Sequence, residues 1–503
     1  MKNYKKIFLF IITLPLFVAC FDDETTEATH PLSEIRIQDG SIKEVYNIGK
    51  NETLVISPVV TQTNVEKPLS YTWEIDLEVY STEQEFQYSA KELGEYNCRF
   101  IVENEDGKTF FPFKLNVNTP YEEGITVIST DAQGKSMLSF MQTPYSPNEK
   151  AEFTKGDCFA INNQDYNFAS NAVDIVQSGG RLVIACQGSG IGDDVASIYC
   201  LHEKTLVVEN LLRVPEYDDF VPTILAIPEV DYPGISYPVL CENGKTYEYS
   251  TTEGVLTPSR KFPYTYAQSC IVSSRSGYDY DILFWDKEIG ALANLYVGHG
   301  PYYCSRNYHS TREEMDTANY FEGKDLVAMT KIRMTDDQLR ENGFATEFLS
   351  ITKNASAYYK SVIATIIWEH NYDIGENYLA SNGFNMAGFS SFPIPLNEKT
   401  PCIANATYMS LLFADGNKVR RWNYTSSELI TNTKELLTVG SDDAIITAFE
   451  ISKDHKKTYV AFYEPEQEGL NGSVWVFNTD TGEVLEKYDN VCYKPTKMIY
   501  KNK

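Results

Sequence analysis

Histidine is scarce in this chain, with six in 503 residues. Imidazole-based acid–base or nucleophilic constellations are correspondingly few. There is no G-x-S-x-G elbow, H-E-x-x-H helix, Walker loop or dinucleotide fingerprint, so the common motif-borne chemistries have no foothold. Beyond Cys20 the cysteines are Cys98, Cys158, Cys186, Cys200, Cys241, Cys270, Cys304, Cys402 and Cys492, and none forms a CxxC pair. Wide spacing and an odd number point to buried free thiols rather than a zinc cluster or a disulfide framework. Basic charge is also short. With 43 Lys and Arg against 70 Asp and Glu the formal charge is -27, and such a surface repels phosphate backbones, so nucleic acid is not expected as a partner. After residue 19 no stretch holds 18 uninterrupted apolar residues, so no later helical membrane span is expected.

What is present begins with a basic, then apolar, N-terminus. Lys2, Lys5 and Lys6 precede the run Ile7 to Ala19, which ends at Cys20. This arrangement predicts a secretory signal over residues 1–19. An ordinary signal peptide or a short anchor is the alternative. Phe17-Val18-Ala19-Cys20 resembles the bacterial lipobox, with Phe in place of the usual leucine. The resemblance implies cleavage before Cys20 and lipidation of that residue, a firm anchor. Losing three lysines would take the charge to about -30. Residues 20–33 follow as a polar, acidic tether. Its Asp22, Asp23 and Glu24 are similar to the acidic signal that sends lipoproteins to the outer leaflet in gut-type Gram-negative anaerobes. The implied location is the outer membrane, facing the exterior, with membrane contact through the lipid alone.

Residues 34–119 alternate apolar and polar positions over short segments separated by Gly, Asn, Asp and Pro. The segments ETLVISPVV, YTWEIDLEV, FQYSA and EYNCRFIVENEDGKTFFPFKLNV predict an all-β, immunoglobulin-type sandwich. Trp73 and Tyr96 are the expected core pieces, with Tyr96 placed two residues before Cys98 as in a tyrosine corner. Val55 and Ile56 stand where a partner cysteine would, so no inter-sheet disulfide is expected. YTWEI followed by GEYNCRFIVENEDGKT is similar to the Y-x-W … G-x-Y-x-V-x-V-x-D-x-x-G pattern of polycystic-kidney-disease (PKD) type sandwiches. More specifically it resembles the PKD-like domain that heads a family of bacterial surface lipoproteins. Asn104-Glu105-Asp106 replaces the simpler aspartate turn of that pattern.

From residue 124 to 503 one motif recurs: strand, polar turn, strand. It appears in ITVISTDAQGKSMLSFM, ASIYCLHEKTLVV, KTYEYSTTEGVL, DILFWDKEIGAL, FLSITKNASAYY, KVRRWNYTSSEL and SVWVFNTDTGEVL. Anchored on Leu201, Tyr249, Trp285, Ile351, Trp422 and Phe477, the gaps are 48, 36, 66, 71 and 55 residues. Repeated four-stranded units at such a period predict a β-propeller of about seven blades, with the last hairpin as the outer half of the final blade. An unrelated β-rich domain containing ordinary hairpins is the other reading. Ser310-x-x-Glu313 and Thr335-x-x-Gln338 have the form of capping boxes, and Gly343 of a helix stop, so a partly helical insertion is expected near 310–343.

Candidate chemistry is thin. GHGPYYCSRNYHS (298–310) gathers His299, Cys304 and His309 without a fourth ligand, and reads as a Tyr-rich loop rather than a metal site. Asp193-Asp194, Asp218-Asp219 and Asp279-x-Asp281 are acidic pairs of the kind glycosidases or calcium sites use, yet none lies in a DxDxDG loop, and solvated turns are the simpler account. No catalytic residue, cofactor or metal is expected. Tyrosine is the conspicuous excess, at 35 residues. Tyr302, Tyr303, Trp368, Tyr372 and Tyr378, in or beside loops rich in Gly and Asn, are the candidate ligand contacts, because such rings give rigid area with a polar tip.

The family resemblance implies a non-catalytic accessory or binding component of a TonB-dependent nutrient import complex. Its partners would be the transporter, its lid lipoprotein, and a peptide or oligosaccharide ligand. Two other readings stay open: a surface enzyme (glycan lyase, hydrolase or peptidase) on a propeller scaffold, and a structural or adhesive spacer.

Overall fold

The computed structural model describes residues 32–502 except 50–51, 145–149, 215–218, 230–234, 252, 259–265, 275–279, 287–290, 296–300, 304–322, 342–346, 365, 372–375, 382–383, 391–394 and 426–432. The chain divides into two compact units between Asn118 and Thr119.

The first unit is a β-sandwich. One layer is a five-stranded sheet in the order Val45–Gly49, Gly107–Asn118, Gly94–Asn104, Ser70–Ile75, Glu78–Ser81, in which the first pair is parallel. The other layer holds the pairs Thr53–Ile56 with Phe86–Ser89 and Ile35–Ile37 with Val60–Gln62. Alternation along Gly94–Asn104 turns Cys98, Phe100 and Val102 inward. They meet Trp73, which is fully buried, with Phe100 stacked at 4.1 Å and Phe86 at 4.8 Å between centroids. The Trp73 indole N–H donates to the Glu83 carbonyl, so burying this ring leaves no orphan donor. The Tyr96 hydroxyl donates back to the Glu92 carbonyl at 3.1 Å, the bond a tyrosine corner makes. Cys98 is a free thiol, as expected. In the Asn104-Glu105-Asp106 turn, Asn104 Oδ1 accepts from the amides of Asp106 and Gly107, while Lys67 pairs with both acids. A lysine therefore occupies the charge position of that turn.

The second unit is a propeller of seven blades. Its innermost strands, in ring order, are Lys494–Lys501, Ala172–Ser178, Pro222–Leu225, Tyr266–Ser274, Asp325–Arg333, Cys402–Asn405 and Ile445–Ile451, and each packs beside the next until the ring closes. Six blades have four antiparallel strands. The first has three: Lys494–Lys501 innermost, then Gly124–Thr130 and Ser136–Gln142. A strand from the far end of the sequence thus completes the blade that opens the domain, which leaves no unpaired inner edge. The second hairpin of the last blade, Gly472–Asn478 with Val484–Cys492, forms the blade's outer half, as the repeat pattern implies.

The repeat anchors need one correction. Leu201, Tyr249, Trp422 and Phe477 lie on third strands, whereas Trp285 and Ile351 lie on second strands. Second and third strands carry the same apolar, aromatic pattern, so a hairpin alone does not reveal its place in the blade. Among the described residues, two short helices decorate the ring. Asp336–Glu341 starts with reciprocal bonds between Thr335 and Gln338, a capping box, while Ser310, Glu313 and Gly343 lie outside the described residues. The other, Cys158–Asn162, was not signalled by periodicity; Asp157 caps it by accepting from the Phe159 amide.

Candidate functional site

Each innermost strand starts at one end of the ring, and the turns joining second to third strands reach the same end. There, where the sixth, seventh and first blades meet, is a cleft of about 500 Å³. Its size is within the usual range for small-molecule sites.

Three backbone devices shape it. On the sixth blade, Asn397 organises the turn before the inner strand: its Oδ1 accepts from the Lys399 amide at 2.9 Å, and its own amide donates to Thr400 Oγ1 at 3.0 Å. That turn presents Lys399, which is exposed, to the cleft. On the seventh blade, Ser441 donates from both its amide and its hydroxyl to Glu464, fixing the connection into Ile445–Ile451. Gly440, at φ +59°, sits in the crook of that connection, where a Cβ would strike Ala444 and Phe462. On the first blade, Tyr493 N donates to Ser129 Oγ and places Lys494 at the head of the inner strand, opposite Thr130.

The lining combines an apolar floor with a cationic rim. Ile445 is 41% exposed there, beside Pro401 and Ala414. The Lys494 ammonium stands 5.2 Å from the centroid of the Tyr463 ring. Thr400, Thr447 and Thr496 add hydroxyls. Among the described residues no Asp or Glu lines the cleft. Glu398, beside Lys399 in sequence, is not part of the lining, and three other neighbouring acids are turned to other work: Asp131 Oδ1 accepts from the amides of Gln133 and Lys135, Asp415 pairs with Arg420, and Glu464 holds Ser441.

The aromatic candidates lie elsewhere. Trp368 and Tyr378 belong to a hairpin, Ile366–Asn371 with Glu376–Ser381, inserted between the third and fourth strands of the fifth blade. Third strands run away from the cleft, so this hairpin emerges at the opposite end of the ring. Tyr302 and Tyr303 sit on Pro301–Tyr303, the outermost strand of the fourth blade. Tyr372 and Cys20 are outside the described residues, as are His299, Cys304, His309, Asp218 and Asp279. Among the described residues no group of three His, Cys, Asp or Glu side chains could hold a metal ion.

Two members of the acidic pairs, Asp194 and Asp219, have structural partners. Asp194 accepts from the amides of Ser170 and Ser189 at 2.9 and 3.0 Å. Partial burial raises its pKa, but the Ser189 and Ser170 hydrogen bonds outweigh this and hold it below the usual carboxylate range. Asp219 pairs with Lys245 and accepts from the Tyr247 hydroxyl at 2.8 Å.

Fold and site together define a two-unit, all-β protein: an immunoglobulin-type sandwich followed by a seven-bladed propeller with an open cleft at one end. No family model matches the chain, and no curated protein matches it. Among solved structures, it is similar to a quinonprotein alcohol dehydrogenase-like protein from Bacteroides thetaiotaomicron, at 15% identity and a TM-score of 0.44, over 93% of this chain and 99% of that one. It is also similar to a DUF4784 family protein from Bacteroides caccae, at 9% identity and a TM-score of 0.28, over 94% of this chain and 99% of that one. Both are β-sheet-rich, propeller-like proteins.

Proposed function

We propose that this chain is a surface lipoprotein of the PKD-like class, held in the outer membrane through Cys20 and facing the exterior. Its role is to bind nutrient, peptide or oligosaccharide, as an accessory of a TonB-dependent importer and its lid lipoprotein. Tethering concentrates the ligand near the transporter, and docking makes delivery intramolecular.

The observation that carries the binding reading over the enzymatic one is the fate of the carboxylates. Asp194 and Asp219, members of the pairs best suited to acid–base work, are each engaged in structural hydrogen bonds. The open cleft is lined by lysines, threonines, a tyrosine and aliphatic groups, a set suited to holding a ligand rather than cleaving it. Extracting the protein from its native membrane in mild detergent tests the assignment. Stoichiometric recovery of a TonB-dependent transporter and a lid lipoprotein is the expected result. Recovery of this chain alone, at low and moderate salt alike, would overturn the accessory role.

A further inference from the structure

From the cleft at the junction of the sixth, seventh and first blades we infer a carboxylate-binding subsite, built by Lys399 and Lys494 over the apolar floor of Ile445. The inference rests on the binding reading above and specifies its ligand: a small molecule with an apolar or sugar-like body and a carboxylate, either an acidic oligosaccharide or a peptide C-terminus.

Charge accounting is the first support. The chain carries -27 overall, so an anion approaches against the mean field. A site for one must gather cations locally and keep its own acids out. The cleft does both. Lys399 and Lys494 come from positions 95 residues apart and converge on one concavity. Neither makes an ion pair among the described residues, and the neighbouring Asp131, Asp415 and Glu464 are bonded to other groups. Asp442 and Asp443, on the connection that precedes Ile445, are exposed, and Glu398 precedes Lys399, but none of the three lines the cleft.

The second support is geometric. Both lysines are held on ordered backbone, Lys399 by the Asn397 turn and Lys494 as the first residue of an inner strand whose next residue, Pro495, is buried. Lys494 also lies over the Tyr463 ring, which limits its wandering while leaving its donors free. Threonine hydroxyls at 400, 447 and 496 supply further donors, and Ile445, exposed despite its size, offers contact for the ligand's carbon frame. Ammonium–carboxylate bonds supply orientation, and the apolar floor supplies the contact area.

Calorimetric titration of the full mature protein, in detergent, tests this with two matched pairs of probes. One pair is digalacturonate against neutral digalactose. The other is trialanine with a free carboxylate against its C-terminal amide. The expected result is that the acidic member of at least one pair binds at least tenfold more tightly, and that high salt erodes the preference. The pair that shows it identifies the source of the carboxylate. Lys399→Gln with Lys494→Gln should abolish the preference with an unchanged melting temperature, while Lys399→Arg with Lys494→Arg should retain it. Equal binding of both members in both pairs, or a preference that survives the Gln variant, overturns the subsite. The outcome is separable from the accessory role: a transporter that co-purifies equally with wild type and the Gln variant supports that role even where the carboxylate preference fails.

Discussion

Raising the pH from 8 to 10 should weaken the propeller, because its buried thiols cannot ionise in place. Cys186, Cys241 and Cys492 are buried free thiols within the blades, and Cys158 is a buried free thiol on the helix Cys158–Asn162. Burial lifts each from the ordinary 9.0, Cys158 and Cys241 to about 12, and Cys186 and Cys492 well above 9.0. Unfolded, these thiols lose protons from pH 9 upward; folded, they keep them. The unfolded state therefore binds fewer protons, and stability falls as pH rises through this window. At pH 10 each thiol costs about 1.4 kcal/mol relative to pH 8, and the four together about 6 kcal/mol. One group works the other way. Lys501 is fully buried, and burial lowers it from 10.5 to about 8, so its deprotonation returns about 2 kcal/mol over the same range. A net loss of about 4 kcal/mol is a large share of a typical domain's stability. Urea unfolding followed by far-UV circular dichroism, under reducing conditions at pH 8 and pH 10, measures it. Cys241→Ala should remove about a quarter of the thiol-borne pH dependence. A midpoint that stays flat between these pH values, or a dependence untouched by thiol replacement, would refute the reasoning.

Four further outcomes follow from particular contacts. In the sandwich, Trp73→Ala opens a large cavity between Phe86 and Phe100 and should cost about 3–5 kcal/mol, read as faster alkylation of Cys98, the only cysteine of that unit's described residues. Asp174 is buried, accepts from the Leu225 amide at 2.7 Å and pairs with Lys497, so it ties the inner strands of three blades; Asp174→Ala should cost about 3 kcal/mol in a denaturant titration. Gly472→Ala should prevent the last blade from seating, because a methyl there would overlap the Tyr493 carbonyl and the Cys492 sulfur; loss of near-ultraviolet dichroism at 25 °C is the readout. His455 is buried, with Nδ1 against Thr407 Oγ1 at 2.8 Å and Asn405 Oδ1 at 3.1 Å, and burial followed by the Arg333 charge lowers its pKa below 6.5. The unfolded state then binds more protons below pH 6.5, so this stability is present above that pH and is lost as the pH falls; His455→Asn should flatten the acid limb of the melting curve.

Much of the fold is local and therefore legible in the chain. Alternation in GEYNCRFIVEN specifies one buried face whatever lies opposite, and the Trp73 and Tyr96 roles follow from residue type and spacing. Asn478 to Gly482 form the turn their chemistry demands, with Asn478 Oδ1 accepting from the amides of Asp480 and Thr481. The Thr335 and Gln338 cap is equally local. The end of the ring at which the Trp368 hairpin emerges, by contrast, is not legible in composition, because it depends on the strand direction within its blade.

The sequence by itself determined the strands, the turns, the sandwich's inward face and the count of repeating hairpins, since each depends on residues within about a dozen positions of one another. Only the tertiary structure decided which strand of a blade each hairpin supplies, that Lys494–Lys501 closes the ring beside Gly124–Thr130, and that Lys399 and Lys494 line one cleft. Those outcomes depend on packing between blades whose faces carry nearly interchangeable apolar patterns, and on contacts between residues hundreds of positions apart, for which no local spacing leaves a mark.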